Sequence, residues 1–165
     1  MNIATMLFQS PVGPFLLVAR EGRLVKLSFH SSPDPQPPSD PRDREILETA
    51  TTQLAEYFAL QRKNFDLPLD LRGTDFHQRV WQALLEIPYG ETTSYGELAE
   101  RIGSPGQARA VGVANGANPI AIIVPCHRVI GADGSLVGYG GGLERKQLLL
   151  DLESTHLSLP LSTGS

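Results

Sequence analysis

A single cysteine stands in the 165 residues, so no disulfide can close within the chain and no Cys-rich zinc site can form. Long apolar runs are missing too. The longest, Phe15–Ala19 and Ile120–Val124, are far too short to cross a bilayer. No basic residue precedes Arg20, and Pro11 and Pro14 interrupt the N-terminal apolar stretch, which argues against a secretory signal. Positive charge is also scarce. Fourteen Lys and Arg face 18 Asp and Glu, a net of −4, which argues against a nucleic-acid coat or a polybasic membrane binder. What is present is 41% hydrophobic and 19% charged, the composition of a globular protein of one domain or two small ones. The charge has one local exception. Residues 101–132 hold Arg101, Arg109 and Arg128 and no acid. Such a patch suits a short contact with an anion; three solvated arginines is the plainer reading, and charge alone leaves both open.

The pattern along the chain predicts an α/β (α+β) protein in two parts. Residues 2–9 and 14–20 read as strands joined by Ser10-Pro11-Val12-Gly13, and Arg23–Phe29 as a third after the Glu21-Gly22 turn. Leu24, Leu27 and Phe29 break strict alternation there. Residues 31–41 carry five prolines and read as an exposed loop. From Arg42 to Leu60, Ile46, Leu47, Ala50, Leu54, Tyr57 and Phe58 recur at helical spacing. Leu67-Pro68-Leu69 reads as an extended connector, with a domain boundary near Gly73. Beyond it the chain is mostly helical. Thr74 or Asp75 caps a helix that stops at Ile87-Pro88, and Thr93 or Ser94 caps another over Tyr95–Ile102. Gly103-Ser104-Pro105-Gly106 then turns into a helix over Gln107–Asn115, a helix-turn-helix pattern that many helical domains share.

The composition of that last helix is unusual. A major-groove reader displays several long polar side chains. Here Ala108, Ala110 and Gly112 are small and only Arg109 is long. A slim helix can approach the narrower minor groove; close helix packing is the plainer explanation. Downstream, the buried run Ile120–Val124 reads as a strand that ends abruptly in Pro125-Cys126-His127-Arg128. A lone cysteine is most often a small core residue. A neighbouring base makes it a nucleophile. Adjacent side chains diverge, so His127 reaches the thiol through a bridging water and needs a carboxylate on its other nitrogen to fix the tautomer.

These residues resemble the O6-alkylguanine-DNA alkyltransferase family, the methylated-DNA–protein-cysteine methyltransferases. The resemblance is carried by PCHRVIG at 125–131, RAVGVANGANPI at 109–120, SYGELA at 94–99, GTDFHQRVWQALLEIPYGET at 73–92 and VGYGGGLERKQLLLDLE at 137–153. It implies an N-terminal ribonuclease-H-like domain over 1–72, a small sheet with helices. It also implies a DNA-binding and alkyl-acceptor domain over 73–153, mostly helical with a winged-helix-like helix-turn-helix, and a flexible tail over 154–165. Cys126 resembles the acceptor that attacks the alkyl carbon on guanine O6, His127 the base acting through water, and Glu153 the carboxylate that orients it, with Asp151 as its rival. Tyr95 resembles the residue that protonates or hydrogen-bonds the flipped guanine at N3, and Asn118 the hinge before the active-site strand. The main-chain carbonyls of Cys126 and Val129 would accept from the guanine amine. Tyr139 would wall the pocket, with Gly140 near O6. Arg109 resembles the finger that fills the gap left by the extruded nucleotide.

The resemblance further implies one irreversible transfer per chain, no cofactor, no metal, and a monomer in the cytoplasm, nucleoid-associated in a bacterium, with no membrane partner. The partner is double-stranded DNA carrying alkylated guanine, held in the minor groove without sequence preference by Ala108, Arg109, Ala110, Gly112 and Arg128. O4-alkylthymine stays open as a second substrate. Small residues at Ala121 and Gly140 predict room for alkyl groups larger than methyl. His30, His77 and His156 read as solvated or locally bonded imidazoles. The main alternative is a helix-turn-helix regulator with Cys126 as a redox sensor. It leaves the small-residue helix and the Pro-Cys-His-Arg ending unexplained. A third, a cysteine hydrolase, needs a separated Cys/His pair.

Overall fold

The computed structural model describes residues 3–29, 38–136, 139 and 142–158. It divides into two compact units between Leu71 and Arg72. In the first, β1 (Ala4–Ser10), β2 (Gly13–Arg20) and β3 (Arg23–Phe29) form an antiparallel sheet in that order. The central strand β2 is buried from Phe15 to Ala19. The helix α1 (Pro41–Phe58) packs on the sheet through Leu47, Ala50, Leu54 and Tyr57, which recur at spacings that keep one face inward. Phe15 and Phe29 meet with ring centroids 4.3 Å apart, beside Phe8 and Phe58.

The broken alternation of β3 has a physical solution. Val18 pairs with Lys26 but Ala19 pairs with Leu24, so a bulge absorbs Val25, and both Leu24 and Leu27 turn inward. The Leu67–Leu69 connector is also more than a linker. Leu24 N–H donates to Pro68 O and Asp70 N–H to Leu24 O, each at 3.0 Å, in a one-residue parallel bridge. The side chain of Gln53 clamps it from α1, donating to Asp66 O and accepting from Asp66 N. One boundary moves: Pro41, assigned to the loop, is the first residue of α1, where a missing N–H costs nothing, and Asp40 caps it by accepting from Arg42 N at 2.8 Å. The rest of the proline-rich segment, 31–37, and His30 lie outside the described residues.

The second unit opens with α2 (Asp75–Leu85), capped by Thr74, whose hydroxyl accepts from His77 N. Its Trp81 is buried, donates from Nε1 to Ala114 O at 2.9 Å, and carries His77 stacked on its ring. The short β4 (Thr93–Ser94) leads into α3 (Tyr95–Arg101), with Ser94 accepting from Glu97 N as the cap. After the 103–106 turn comes α4 (Ala108–Gly116). It starts one residue later than its pattern: the Gln107 backbone is not helical, so Gln107 is the N-cap, without a side-chain cap bond. Then β5 (Val129–Ile130) pairs parallel with β4, and α5 (Leu143–Ser158) closes the described chain. That small ladder joins the start of the helix-turn-helix to the segment just after Cys126.

Ile120–Val124 is not a strand. It is a turn, with Val124 N–H bonded to Ile120 O at 3.1 Å and the buried Ile122 at a φ of +69°. A β-branched residue in that region is strained. Asn118 holds the strain from both ends, accepting from Ile120 N at 3.0 Å and donating to Val124 O at 2.8 Å. The tail assigned from residue 154 is helical as far as Ser158, and 159–165 lie outside the described residues.

Gly90 closes a turn against α5. Its φ is +80°, and a Cβ there would sit 2.0 Å from Leu157 Cδ1. Gly90→Ala is expected to lower stability by about 1–2 kcal/mol from the backbone penalty alone. The midpoint of urea unfolding checks this; an unchanged midpoint would contradict the turn.

Candidate active site

Cys126, His127 and Arg128 form a single 3-10 turn between the strained 120–124 turn and β5, and all three are buried. A 3-10 turn fans successive side chains apart. The thiol therefore faces one way, and the imidazole and guanidinium face α5. There Glu153, 1% exposed, receives both. Its Oε2 lies 2.7 Å from His127 Nε2 and 3.0 Å from Arg128 Nη2; its Oε1 accepts from Arg128 Nε at 2.9 Å and Gly90 N at 3.2 Å. Burial alone would raise this carboxyl, but the hydrogen bonds and charges of His127 and Arg128 prevail and hold it well below the usual carboxylate range. An ionised carboxylate accepts only, so His127 carries its proton on Nε2 and presents a bare Nδ1. Among the described residues no group hydrogen-bonds that Nδ1. Burial lowers the histidine's pKa despite Glu153, so the ring rests neutral and able to take a proton.

One assignment is corrected here, and the rival of another is set aside. Arg128 is no DNA contact: 6% exposed, it pairs with Glu153, donates to Ile87 O at 2.7 Å and lies over the Tyr89 ring. A buried carboxylate needs a permanent counter-charge, and the adjacent arginine supplies it. Asp151 faces solvent, where Gln147 donates to it at 2.7 Å, and has no part in the network.

Around the thiol the structure gathers Asn118, Lys146, Tyr95 and Tyr139. Burial pushes the Cys126 thiol up, while a hydrogen bond from Asn118 and the charge of Lys146 pull it back. Lys146 is fully buried, donates to Val129 O, and is itself lowered by burial. Sequence reasoning missed it; a lysine in a charged helix reads as solvated. Tyr95 and Tyr139 are both held high by burial first and by their closeness to Cys126 second. The Cys126 carbonyl, expected to receive the guanine amine, already accepts from Val129 N and from Asn115 Nδ2 at 3.3 Å. Both of its lone pairs are engaged, which leaves Val129 O, with one bond from Lys146, as the better acceptor. Ala121 is half-buried in the turn, and Gly140 lies outside the described residues.

On α4, Arg109 is exposed, Ala108 and Ala110 are half-buried, and Gly112 faces the Tyr95 ring, where a Cβ would lie 3.7 Å from Cδ1. His77 stacks on Trp81, and His156 Nδ1 is 3.0 Å from Tyr89 Oη. Among the described residues no three His, Cys, Asp or Glu side chains converge as a metal site.

Two family models match the chain: the ribonuclease-like domain of 6-O-methylguanine DNA methyltransferase over residues 3–71, and its DNA binding domain over 75–155. The chain belongs to that family. Methylated-DNA–protein-cysteine methyltransferase of Mycobacterium tuberculosis is 54% identical over 163 residues, covering 93% of each chain. The protein of that name from Methanosarcina acetivorans is 50% identical, covering 90% of this chain and 97% of its own. The crystal structure of Mycobacterium tuberculosis O6-methylguanine methyltransferase superposes with a TM-score of 0.83 at 50% identity, over 98% of this chain and 97% of that one. The Mycobacterium tuberculosis OGT in complex with DNA gives 0.80 at 57% identity, over 91% and 92%.

Glu153→Gln in this member is expected to lower stability by about 3 kcal/mol, because it strands the buried Arg128. Asp151→Asn is expected to change nothing. Thermal unfolding of both variants checks the pair, and equal losses would contradict the assignment. Stability is also expected to fall between pH 7 and pH 5. The unfolded chain protonates His127 near its ordinary value of 6.5, while the buried ring stays neutral, so unfolding takes up a proton. Urea midpoints at the two pH values give the sign. Lys146→Met removes the cation that favours the thiolate and is expected to slow alkylation of Cys126 by iodoacetamide at pH 7.5 about tenfold.

Proposed function

We infer that this chain repairs O6-alkylguanine in DNA by transferring the alkyl group to Cys126, once and irreversibly. The observation that carries the reading is the chain's one thiol, seated beside a neutral histidine whose tautomer a buried carboxylate sets. In this reading the thiol proton passes through water to His127 Nδ1. The Cys126 sulfur attacks the alkyl carbon, the S–C bond forms as the C–O6 bond breaks, and the electron pair stays on the base. Tyr95 then hydrogen-bonds the base at N3, where that charge gathers. The imidazolium that results sits against Glu153, so its charge is compensated as it forms. The thioether has no leaving group that a protein base can expel, which makes the chain a reagent consumed by one event.

DNA handling is assigned to α4. Ala108, Ala110 and Gly112 make it slim enough for the minor groove, where contact with phosphates carries no base preference. Arg109, exposed on the same helix, occupies the space of the extruded nucleotide. The reading has the chain act as a monomer, since one chain holds every group used, and places its work in the cytoplasm. The redox-regulator reading loses ground, because a sensing thiol is well exposed and Cys126 is buried.

Intact-mass measurement after incubation with duplex DNA containing O6-methylguanine is expected to plateau at about one methyl per chain, on Cys126. Cys126→Ser is expected to gain none while still binding duplex. Continued turnover would overturn the reading. Arg109→Ala is expected to slow transfer from duplex about tenfold, less from single strands, and least from the free alkylated base, following the stacking each must break. Equal slowing on duplex and free base would place Arg109 in the fold of the site.

A further inference from the structure

The buried residues of α4 are Val111, Ala114 and Asn115. Two are apolar. Asn115, 3% exposed, places an amide where a leucine of similar size would fill the space without desolvation. The orientation of that amide is fixed. Its Nδ2 donates to Cys126 O at 3.3 Å, and the reversed amide would set oxygen against oxygen. The other heteroatom, Oδ1, is buried and hydrogen-bonds no group among the described residues. A buried acceptor without a donor carries a desolvation penalty that the fold does not offset. Its position is specific. The two heteroatoms share one carbon, so Oδ1 stands beside the carbonyl of the alkyl-acceptor cysteine. Gly112, one turn earlier on the same side of α4, faces the Tyr95 ring. Asn115 is thus next to the Cys126 carbonyl and on the Tyr95 side of its helix.

We propose that Asn115 Oδ1 accepts a hydrogen bond from the 2-amino group of the flipped guanine, and so makes this chain selective for O6-alkylated purines that carry that amine. In guanine, N3 and the amine nitrogen are both attached to C2, so a group beside the one is close to the other. The amine has two N–H donors. Val129 O takes one of them with the lone pair that Lys146 leaves. The Cys126 carbonyl does not take the second, because Val129 N and Asn115 Nδ2 already engage it. The side chain that closes this carbonyl therefore offers an acceptor of its own beside it. A purine with hydrogen at C2 leaves Oδ1 unmet, and a site built to bond a substrate N–H rejects the analogue that lacks it. The proposal rests on the reading that the chain takes O6-alkylguanine to Cys126, and its test separates the two.

The test is a cycle of protein and substrate changes. Second-order rate constants of methyl transfer are measured on duplexes carrying O6-methylguanine or O6-methylhypoxanthine, which has hydrogen in place of the amine. Wild type is expected to lose about a hundredfold when the amine is removed, about tenfold for each of two hydrogen bonds. Asn115→Leu and Asn115→Ala are expected to lose only about tenfold, the part that Val129 O retains. Hypoxanthine pairs more weakly and flips more easily, but that difference is common to every protein in the cycle and cancels. If both Asn115 variants slow the two substrates equally and keep the wild-type ratio, Asn115 serves only the fold and the proposal is overturned. A wild type indifferent to the amine overturns it as well. Failure of wild type to take methyl from either duplex overturns instead the reading of the function. Because Asn115→Ala removes the amide without adding bulk, a folding failure of Asn115→Leu does not close the test.

Discussion

Glu153 is a carboxylate removed from water, and the second unit is arranged around the cost of keeping it ionised there. An isolated buried carboxylate is expensive enough that it would protonate instead. Four donors prevent that: the His127 imidazole, two nitrogens of Arg128 and the Gly90 amide. The donors come from two segments and the acceptor from a third. The 3-10 turn presents histidine and arginine together, the 87–90 turn lends its amide, and α5 supplies the acid. The network therefore ties three separate segments to one point. It also carries chemical information, since an ionised Glu153 dictates which nitrogen of His127 is bare. Stability and reactivity rest on the same charge.

The geometry upstream serves the same end. Ile122 is held in a backbone region that β-branched residues avoid, and Asn118 spends both ends of its amide holding it. The turn delivers Pro125 and Cys126 without a strand, and the β4–β5 ladder then fixes the far side to the start of α3. Cys126 is thus held from both directions, with Asn115 on α4 donating to its carbonyl and Tyr95 on α3 close by. A site that must react once, and in one orientation, gains from such rigidity, because positioning replaces entropy that would otherwise be lost in the transition state.

Much of this was legible in the sequence. The strands, α1, and a cap at Thr74 or Asp75 for α2 and at Thr93 or Ser94 for α3 follow from periodicity and cap residues, while the meeting of Cys126, His127 and Glu153 is what the family resemblance implies. The misses share a cause. Arg128 and Lys146 were read by charge as solvent-facing or were passed over, yet burial of each depends on a partner far along the chain, Glu153 for one and the Val129 carbonyl for the other. The Ile120–Val124 run has the composition of a strand, but its own backbone hydrogen bonds and those of Asn118 hold it as a turn. The bulge at Val18–Ala19 was visible as broken alternation but could not be located, because register depends on both strands at once. Local pattern gave the elements, and long-range polar contacts decided what they do.

The central claim is that Glu153 fixes His127 as a neutral imidazole with its proton on Nε2 and its Nδ1 bare. Nitrogen-15 NMR of the histidine side chains at pH 7, with His127 assigned by its absence in His127→Gln, reads this directly. The account predicts one protonated nitrogen coupled to Hε2 and one unprotonated nitrogen, unchanged on mild acidification to pH 6. A doubly protonated ring at pH 7, or a proton on Nδ1 with Nε2 bare, would contradict it.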